Sequence, residues 1–206
     1  MLYELILSLH LALTQPKILG ASSAVLASHS MNLENRWDDQ FVNDVFKDNI
    51  LLTLYYLDNK VNDKTQIDWE KINHPLKVEF TLQPTETFAF HEKTLKKYSD
   101  NLVKTTNSHF IGSEGFRNSG HLIGDGICHL ASLIYWVAED AGLTAYSPSD
   151  HNFAKINEVP REYGVGILSP NPLGNLYIVN NLEKPITFSF DFDGENLTVA
   201  VVTVTQ

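Results

Sequence analysis

The residue best suited to nucleophilic chemistry is the single cysteine of the chain, Cys128. It lies in the sequence Gly-Asp-Gly-Ile-Cys-His at positions 124–129, and an apolar run at helical spacing follows it. Two glycines before such a run predict a turn that opens a helix, with the cysteine in the first helical turn. Unpaired N–H groups and the positive end of the helix dipole stabilise a thiolate there. We therefore expect a lowered pKa for the Cys128 thiol and a nucleophile near neutral pH.

A thiolate nucleophile also needs an imidazole base, and His151 is the first candidate. It follows the predicted helix by a short loop and begins a predicted strand, so that helix and strand could pack with Cys128 and His151 adjacent. Asp150, Asn152 and Glu158 are candidates to orient the imidazole; the sequence does not decide among them, and Asp150 completes the predicted catalytic set. This layout is analogous to that of transglutaminase-like and papain-like enzymes. The alternative is that Cys128 packs as a small hydrophobic residue and His151 lies at the surface.

The glycine turn is also a candidate ligand site, because a helix start can bind an anion through its free N–H groups. We assign ligand binding to Gly124, Gly126, His129 and His91. The turn lacks the Lys and Ser/Thr residues of nucleotide-binding loops, and no Gly-x-Ser-x-Gly motif is present. The eight histidines include no His-x-x-x-His or Glu-x-x-His pair. We therefore predict neither a metal site nor a cofactor.

The elements that position these residues indicate an α+β domain, mainly an antiparallel sheet packed against a central helix that begins near Cys128. Helical spacing predicts helices at residues 40–57 and 124–142 and a short one near 68–72. Strands are expected at residues 77–82, 87–91, 153–156, 164–168 and 176–180. The Asp-Gly pair at positions 193–194 predicts a hairpin between residues 186–192 and 197–204. The polar stretch 93–120 is expected to contain one helical stretch.

Several of these motifs together resemble the VanW-like family of bacterial cell-envelope proteins. The turn at 124–129 is similar to the family's Gly-Gly-Gly-Val-Cys-Gln. Residues 84–91, Pro-Thr-Glu-Thr-Phe-Ala-Phe-His, resemble the family's Pro-Gly-Glu-x-Phe-Ser-Phe-Asn. Residues 180–186, Asn-Asn-Leu-Glu-Lys-Pro-Ile, resemble Asn-Asn-x-x-x-Pro-Ile before the last hairpin, and residues 150–152 fall where the family carries its histidine. The resemblance spans about residues 84–202 in consistent order.

Three departures from the family pattern concern the site. The glutamine after the cysteine is replaced by His129, and the second glycine of the turn by Asp125. A Gly-Arg-Asp stretch expected after the histidine is replaced by Tyr-Gly-Val at positions 163–165. If that aspartate orients the histidine in the family, this chain lacks it.

The resemblance implies an extracytoplasmic or secreted protein that acts on or binds cell-envelope material, with peptidoglycan peptide or glycan as the partner. The family is associated with glycopeptide-resistance gene clusters, and no biochemical activity is established for it. Two functions are therefore open. One is acyl transfer or peptide-bond hydrolysis by a Cys128–His151 thiol site. The other is a non-catalytic envelope-binding or scaffold domain in which Cys128 is structural.

Charge and the N-terminal region bound the remaining possibilities. The formal net charge of -10, with no basic cluster, argues against nucleic acid as a partner. The apolar run at residues 2–13 is too short for a stable transmembrane span. Small-residue sites at 19–21 and 25–27 favour an export signal; Glu4 and the absence of early Lys or Arg favour the alternative, an amphipathic N-terminal helix. We divide the chain into a signal or helix (1–27), a linker (28–39), a helical segment (40–75) and a VanW-like domain (76–206). The oligomeric state stays open.

Overall fold

The computed structural model describes residues 22–120 and 125–205, and they form an α+β fold with two four-stranded sheets. The first sheet has the order β1-β8-β7-β2 and is antiparallel throughout; the second has the order β4-β3-β6-β5, with only β3 and β4 parallel. The strands are β1 (Ser22–Asn32), β2 (Leu76–Leu82), β3 (Thr87–Ala89), β4 (Leu102–Lys104), β5 (Thr144–Tyr146), β6 (Tyr177–Val179), β7 (Ile186–Phe192) and β8 (Asn196–Thr205). The helices are α1 (Gln40–Leu57), α2 (Trp69–Ile72), α3 (Lys96–Ser99) and α4 (Ile127–Asp140). Short 3-10 turns lie at Lys64–Gln66, Gly112–Glu114 and Arg161–Tyr163.

The first sheet follows from period-two patterns of apolar residues. Every second residue of β2 is buried, and the phenylalanines of β7 face the same core. Phe80 and Phe188 are register partners, and their rings stack with centroids 5.1 Å apart. The predicted hairpin is confirmed, because β7 and β8 are joined at Asp193, whose carboxylate accepts the N–H groups of Glu195 and Asn196.

The two long helices bring the first sheet, the second sheet and the candidate site together. Helix α1 covers the predicted residues 40–57, and Asp39 caps it by accepting the N–H of Val42. Helix α4 packs against β1, β8, β5 and α1, so the prediction of a central helix is confirmed. Apolar residues of α1, α4 and both sheets belong to one core cluster. The helical segment 40–75 therefore shares its core with the rest of the chain. Among the described residues, no helix is both long and apolar enough to cross a membrane.

The predicted linker at 28–39 is wrong in its first part, because β1 continues to Asn32 and pairs with β8 along its whole length. Met31 and Leu33 are fully buried. Ser28 and Ser30 are on the exposed side, which gives this edge strand the polar composition of a linker. Within the proposed signal segment 1–27, residues 22–27 belong to the same strand; residues 1–21 lie outside the described part.

Two predicted strands near His151 do not form. Residues 153–156 are a loop with Phe153 exposed, and residues 164–168 make one isolated bridge, between Val165 and Asp150. The N–H groups of residues 165 and 167 bind side chains of α4 instead of a neighbouring strand. The short strands β4 and β5 were not predicted. Since His151 lies in a loop and not on a strand, the likeness to transglutaminase-like and papain-like layouts is not confirmed.

Candidate functional site

The turn before α4 has the predicted geometry over its described residues. Gly126 caps the helix with φ +86°, and a Cβ there would lie 2.6 Å from the backbone oxygen of Phe46 in α1. Glycine is therefore required by both conformation and space. Asn49, also in α1, donates a hydrogen bond to the carbonyl of Asp125 at 2.9 Å, which fixes the turn against that helix. Gly124 lies outside the described residues.

Cys128 is in the first turn of α4, as predicted, and its sulfur accepts a backbone hydrogen bond. The N–H of Ile167 lies 3.4 Å from Sγ. One turn later, Ser132 Oγ accepts the N–H of Val165 at 2.8 Å and donates to the Cys128 carbonyl at 2.7 Å. Residues four apart lie on one helix face, so Cys128 and Ser132 together hold the 165–167 segment along the helix. The Cys128 sulfur and the Ser132 hydroxyl thus both accept backbone N–H groups of this segment.

The pKa of the Cys128 thiol is raised and not lowered as we expected. Burial is the largest cause, because it disfavours the charged thiolate even though the residue keeps part of its surface exposed, and the hydrogen bond from Ile167 opposes it only in part. The sequence suggested that the helix start stabilises the Cys128 thiolate, but desolvation of the thiolate outweighs this effect. The thiol is protonated at neutral pH.

His151 lies in the loop after β5 and is oriented by a backbone carbonyl. Its Nδ1–H donates to the carbonyl of Ala154 at 3.2 Å, and its own N–H donates to Gly164 at 3.2 Å. A carbonyl can only accept, so Nε2 is the unprotonated nitrogen of the neutral ring. Burial lowers the pKa of His151, which keeps the ring neutral at pH 7. Within residues 22–120 and 125–205, no hydrogen bond joins this ring to Cys128 Sγ.

Asp150 does not take the orienting position that the sequence suggested for it. Its carboxylate accepts the N–H of Asn152 at 3.3 Å, and its backbone forms the isolated bridge with Val165. The side chain is exposed. The carbonyl of Ala154 occupies the place at His151 Nδ1 where a carboxylate would act in a catalytic triad.

The structure brings His151 together with His129 instead. The two rings are nearly perpendicular, with centroids 6.0 Å apart. The centroid of the Phe46 ring lies 5.1 Å from that of His129. His129 is 5% exposed, and its Nδ1 is buried without a hydrogen-bond partner. Burial, the positive charge of Arg36 and the neighbouring His151 lower the pKa of His129 to about 3. His129 is therefore a neutral residue packed behind His151.

Arg36 completes this cluster and was not predicted. Its side chain is fully buried, and its Nη2 donates to Glu158 Oε2 at 2.5 Å. Glu158, a candidate to orient His151, is thus engaged with Arg36. Asn157 donates to the carbonyl of Asn35 at 3.1 Å, which gives the loop a second attachment to the same segment. A lone arginine in a polar stretch carries no periodic signal, so the sequence did not reveal it.

His151 lines a cavity of about 540 Å³ formed by the loop that follows it. Phe153 is 68% exposed and lies over the His151 ring with centroids 4.0 Å apart. The described lining does not include Cys128. It consists of His151, Asn152, Phe153, Ala154, Lys155, Ile156, Val159, Pro160, Arg161 and Gly164.

His91 belongs to a different hydrogen-bond network. The ring is fully buried, and its Nε2 donates to the carbonyl of Gly174 at 3.0 Å. Asn175 accepts the backbone N–H of His91 at 3.1 Å, and its amide lies 3.4 Å from Nδ1. Burial lowers the pKa of His91. The residue fixes the 174–175 turn against the end of β3 and does not line the cavity.

A metal centre finds no support in the described part of the chain. No group of three or more His, Cys, Asp or Glu residues there could hold a metal ion. The buried ring nitrogens of His91 are taken up by backbone and amide groups.

Comparison with known proteins identifies one family. The family model described as "VanW like protein" matches residues 72–202. No curated protein and no solved structure matches the chain. The matched region includes the turn before α4, Cys128, His151 and the cavity.

Proposed function

The chain belongs to the VanW-like family, and from this we propose that it is an extracytoplasmic protein that binds cell-envelope material, namely peptidoglycan peptide or glycan, in the cavity beside His151. The observation that carries the proposal is a 540 Å³ cavity whose wall includes the histidine at the family's histidine position. Its volume is typical of ligand sites, about 300–1,000 Å³. Cys128 has a structural role in this proposal, because its sulfur receives the N–H of Ile167 and burial raises its pKa.

Co-sedimentation with purified peptidoglycan sacculi tests this binding. We expect the wild-type chain to sediment with sacculi and Phe153→Ser to do so much less, since Phe153 is an exposed part of the cavity wall. Phe41→Ser is the matched control, because Phe41 is 63% exposed on α1 and is not among the residues that line the cavity. Absence of the wild-type chain from the pellet, or equal loss in both variants, would contradict the proposal.

A cleaved export signal should end before β1, because this strand belongs to the first sheet. Cleavage after Ala27 would remove Ser22–Ala27 from the edge of the first sheet, where these residues pair with β8. Cleavage after Ala21 would leave the strand whole, so we favour the site at 19–21. N-terminal sequencing of protein from the extracytoplasmic fraction is expected to begin at Ser22. Cytosolic protein that retains Met1 would refute export.

A second candidate function is thiol-dependent acyl transfer, supported by the orientation of His151, which leaves Nε2 as an acceptor. In that reaction Cys128 Sγ forms a bond to an acyl carbon, and Nε2 takes the thiol proton. The bond to the leaving group then breaks as the proton returns to it, while N–H groups at the helix start stabilise the oxyanion. Asp150 would act only by its charge near the imidazolium.

Alkylation with iodoacetamide across pH separates the two candidates. An ordinary thiol with a pKa near 8.5 is about 3% thiolate at pH 7, and burial in the fold reduces this fraction further. The binding proposal therefore predicts that folded protein reacts at least about tenfold more slowly than protein unfolded in urea. Faster reaction in the folded protein, with an inflection below about pH 8.5, would favour catalysis. Cys128→Ala should then abolish function while the protein stays folded.

A further inference from the structure

We propose that the cavity beside His151 binds the free carboxylate end of a short peptide with small apolar side chains. The proposal rests on the proposed function, since it names the ligand chemistry of the same site. Three properties of the cavity support it: the charge of its polar lining, its apolar wall, and the hydrogen-bonding state of His151.

The charge of the lining is opposite to that of the protein. The chain carries a formal net charge of -10, yet the described lining contains Lys155 and Arg161 and no Asp or Glu. The neighbouring carboxylate of Glu158 is paired with Arg36. Two cations in a cavity on an acidic protein favour an anionic ligand.

Both cations are available to such a ligand. Arg161 donates from Nε to Asn152 Oδ1 at 3.3 Å and from Nη2 to the Asn152 carbonyl at 3.2 Å. These bonds orient the guanidinium and leave Nη1 outside them. Lys155 is exposed, and the described residues provide no salt bridge to it. An oriented guanidinium and an exposed ammonium in the lining of one cavity suit a carboxylate, whose oxygens accept from such groups.

The remaining wall is apolar, which distinguishes a peptide from an anionic sugar polymer. Phe153, Ile156, Val159 and Pro160 line the cavity. Methyl groups of small side chains would cover this surface and gain free energy from its burial. A polyol phosphate would bring hydroxyl groups against it without hydrogen-bond partners, at a cost.

His151 lines the same cavity and carries a hydrogen-bond acceptor. With Nδ1–H on the Ala154 carbonyl, Nε2 can accept from an N–H or O–H donor. The backbone N–H of a peptide supplies such a donor, whereas a phosphate oxygen does not. A C-terminal residue of a peptide offers one group to each part of the cavity. Its N–H can bind His151, its side chain can cover the apolar wall, and its carboxylate can bind the two cations.

Titration of isotope-labelled full-length protein with N-acetyl-alanyl-alanine, monitored by NMR, tests the ligand chemistry. We expect amide shifts at residues 151–164 with the free acid. Loss of the charge-assisted hydrogen bonds should make the C-terminal amide of the same peptide bind at least about tenfold more weakly. Equal affinity of acid and amide, shifts confined to other regions, or no shifts would overturn the proposal. Tighter binding of glycerol phosphate than of the acid would overturn it in favour of a phosphate polymer.

Charge variants identify the cations involved. Lys155→Met is expected to weaken binding of the free acid by about tenfold and to leave binding of the amide unchanged. Lys184→Met is the matched control, because it removes an exposed lysine charge that is not part of the cavity lining. Lys155 makes no salt bridge in the described residues, so its variant should retain the wild-type unfolding temperature, which is measured alongside. If both variants bind the acid equally well, the assignment of Lys155 is refuted.

Co-sedimentation with chemically amidated and with untreated sacculi tests the carboxylate inference separately from the proposed function. Amidation of the free carboxyl groups of sacculi with methylamine should abolish co-sedimentation. If amidated and untreated sacculi bind equally, the carboxylate inference fails and the proposed function stands. If the acid peptide binds in the cavity but untreated sacculi do not sediment the protein, the inference stands and the envelope proposal fails.

Discussion

Acidification is expected to destabilise the fold through His129, the histidine packed behind the cavity. The ring is 5% exposed, its Nδ1 has no hydrogen-bond partner, and the buried charge of Arg36 is close enough to disfavour a second positive charge. The folded protein therefore binds a proton at His129 with difficulty, whereas the unfolded chain exposes the ring to water. Protonation then favours the unfolded chain.

The size of the effect follows from the two pKa values. In an unfolded chain a histidine has a pKa of about 6.5, and in the fold the pKa of His129 is lowered to about 3. The part of the folding stability that depends on a neutral His129 is complete above about pH 6.5 and is lost as the pH falls from there towards about 3. At about pH 5 the difference from the unfolded pKa is about 1.5 units. One pKa unit corresponds to about 1.36 kcal/mol, so the free energy of unfolding falls by about 2 kcal/mol at about pH 5.

Urea unfolding at about pH 7.5 and about pH 5, followed by tryptophan fluorescence, measures this loss. His129→Leu removes the titrating group and fills the space with an apolar side chain. Other groups also titrate: burial lowers the pKa of His91 and of His151, while the carboxylates beside His109 raise the pKa of that residue. The comparison between wild type and variant cancels these contributions. Between about pH 7.5 and about pH 5, we expect the free energy of unfolding of the wild type to fall by about 2 kcal/mol more than that of His129→Leu.

The control is His74→Gln, which replaces an exposed histidine and should leave the wild-type loss intact. If His129→Leu loses as much stability on acidification as the wild type, His129 is not the buried neutral ring described above. The burial of a neutral His129 next to Arg36 and His151 would then be refuted.

Three further predictions concern the turn, α4 and a surface histidine. Gly126→Ala combines a left-handed backbone with a Cβ 2.6 Å from the Phe46 oxygen, and should lower the free energy of unfolding in urea by about 3 kcal/mol. Ser132→Ala leaves the Val165 N–H unpaired in the core, and should cost about 1–3 kcal/mol and accelerate hydrogen exchange at that amide. Neighbouring carboxylates, Glu114 first and then Glu92, raise the pKa of His109, so its stabilisation is full below about pH 6.5 and lost as the pH rises through the folded pKa. His109→Gln should therefore show a smaller fall in thermal midpoint than the wild type between about pH 6 and about pH 9.

The parts of the fold that were predicted correctly have local causes. Helix α1 was expected at residues 40–57 because its apolar residues recur at helical spacing, and the capping by Asp39 is a contact within one turn. The β7–β8 hairpin was expected because an Asp-Gly pair separates two alternating runs. In both cases the interactions that define the element join residues of one continuous segment of the chain.

Strand β1 could not be predicted from local pattern. Its exposed side carries serines, and its hydrogen bonds come from β8, more than 160 positions later in the chain. The loop at 153–156 shows the opposite case. Its apolar residues suggested a strand, but the segment has no partner strand in the described fold and forms the cavity wall instead.

The helix start at Cys128 was predicted from the sequence, but the electrostatics around it were not. A helix start lowers the pKa of a thiol when solvent remains nearby, and the glycine turn predicted that geometry for Cys128 correctly. The direction of the shift depends on burial, which is produced by residues 165–167 lying along α4. The pairing of His129 with His151 likewise depends on a loop whose path the sequence does not reveal.

The pairing of β1 with β8 also has a consequence for the order of folding. The register runs from Ser22 opposite Thr205 to Asn32 opposite Asn196, so the first described strand has its neighbour only in the last one. A chain emerging vectorially from a ribosome or a translocon therefore holds β1 without a partner until residues 196–205 have emerged. Non-local strand pairing of this kind makes folding slow, on the order of milliseconds to seconds. During that interval β1 is an open strand edge that a chaperone could occupy.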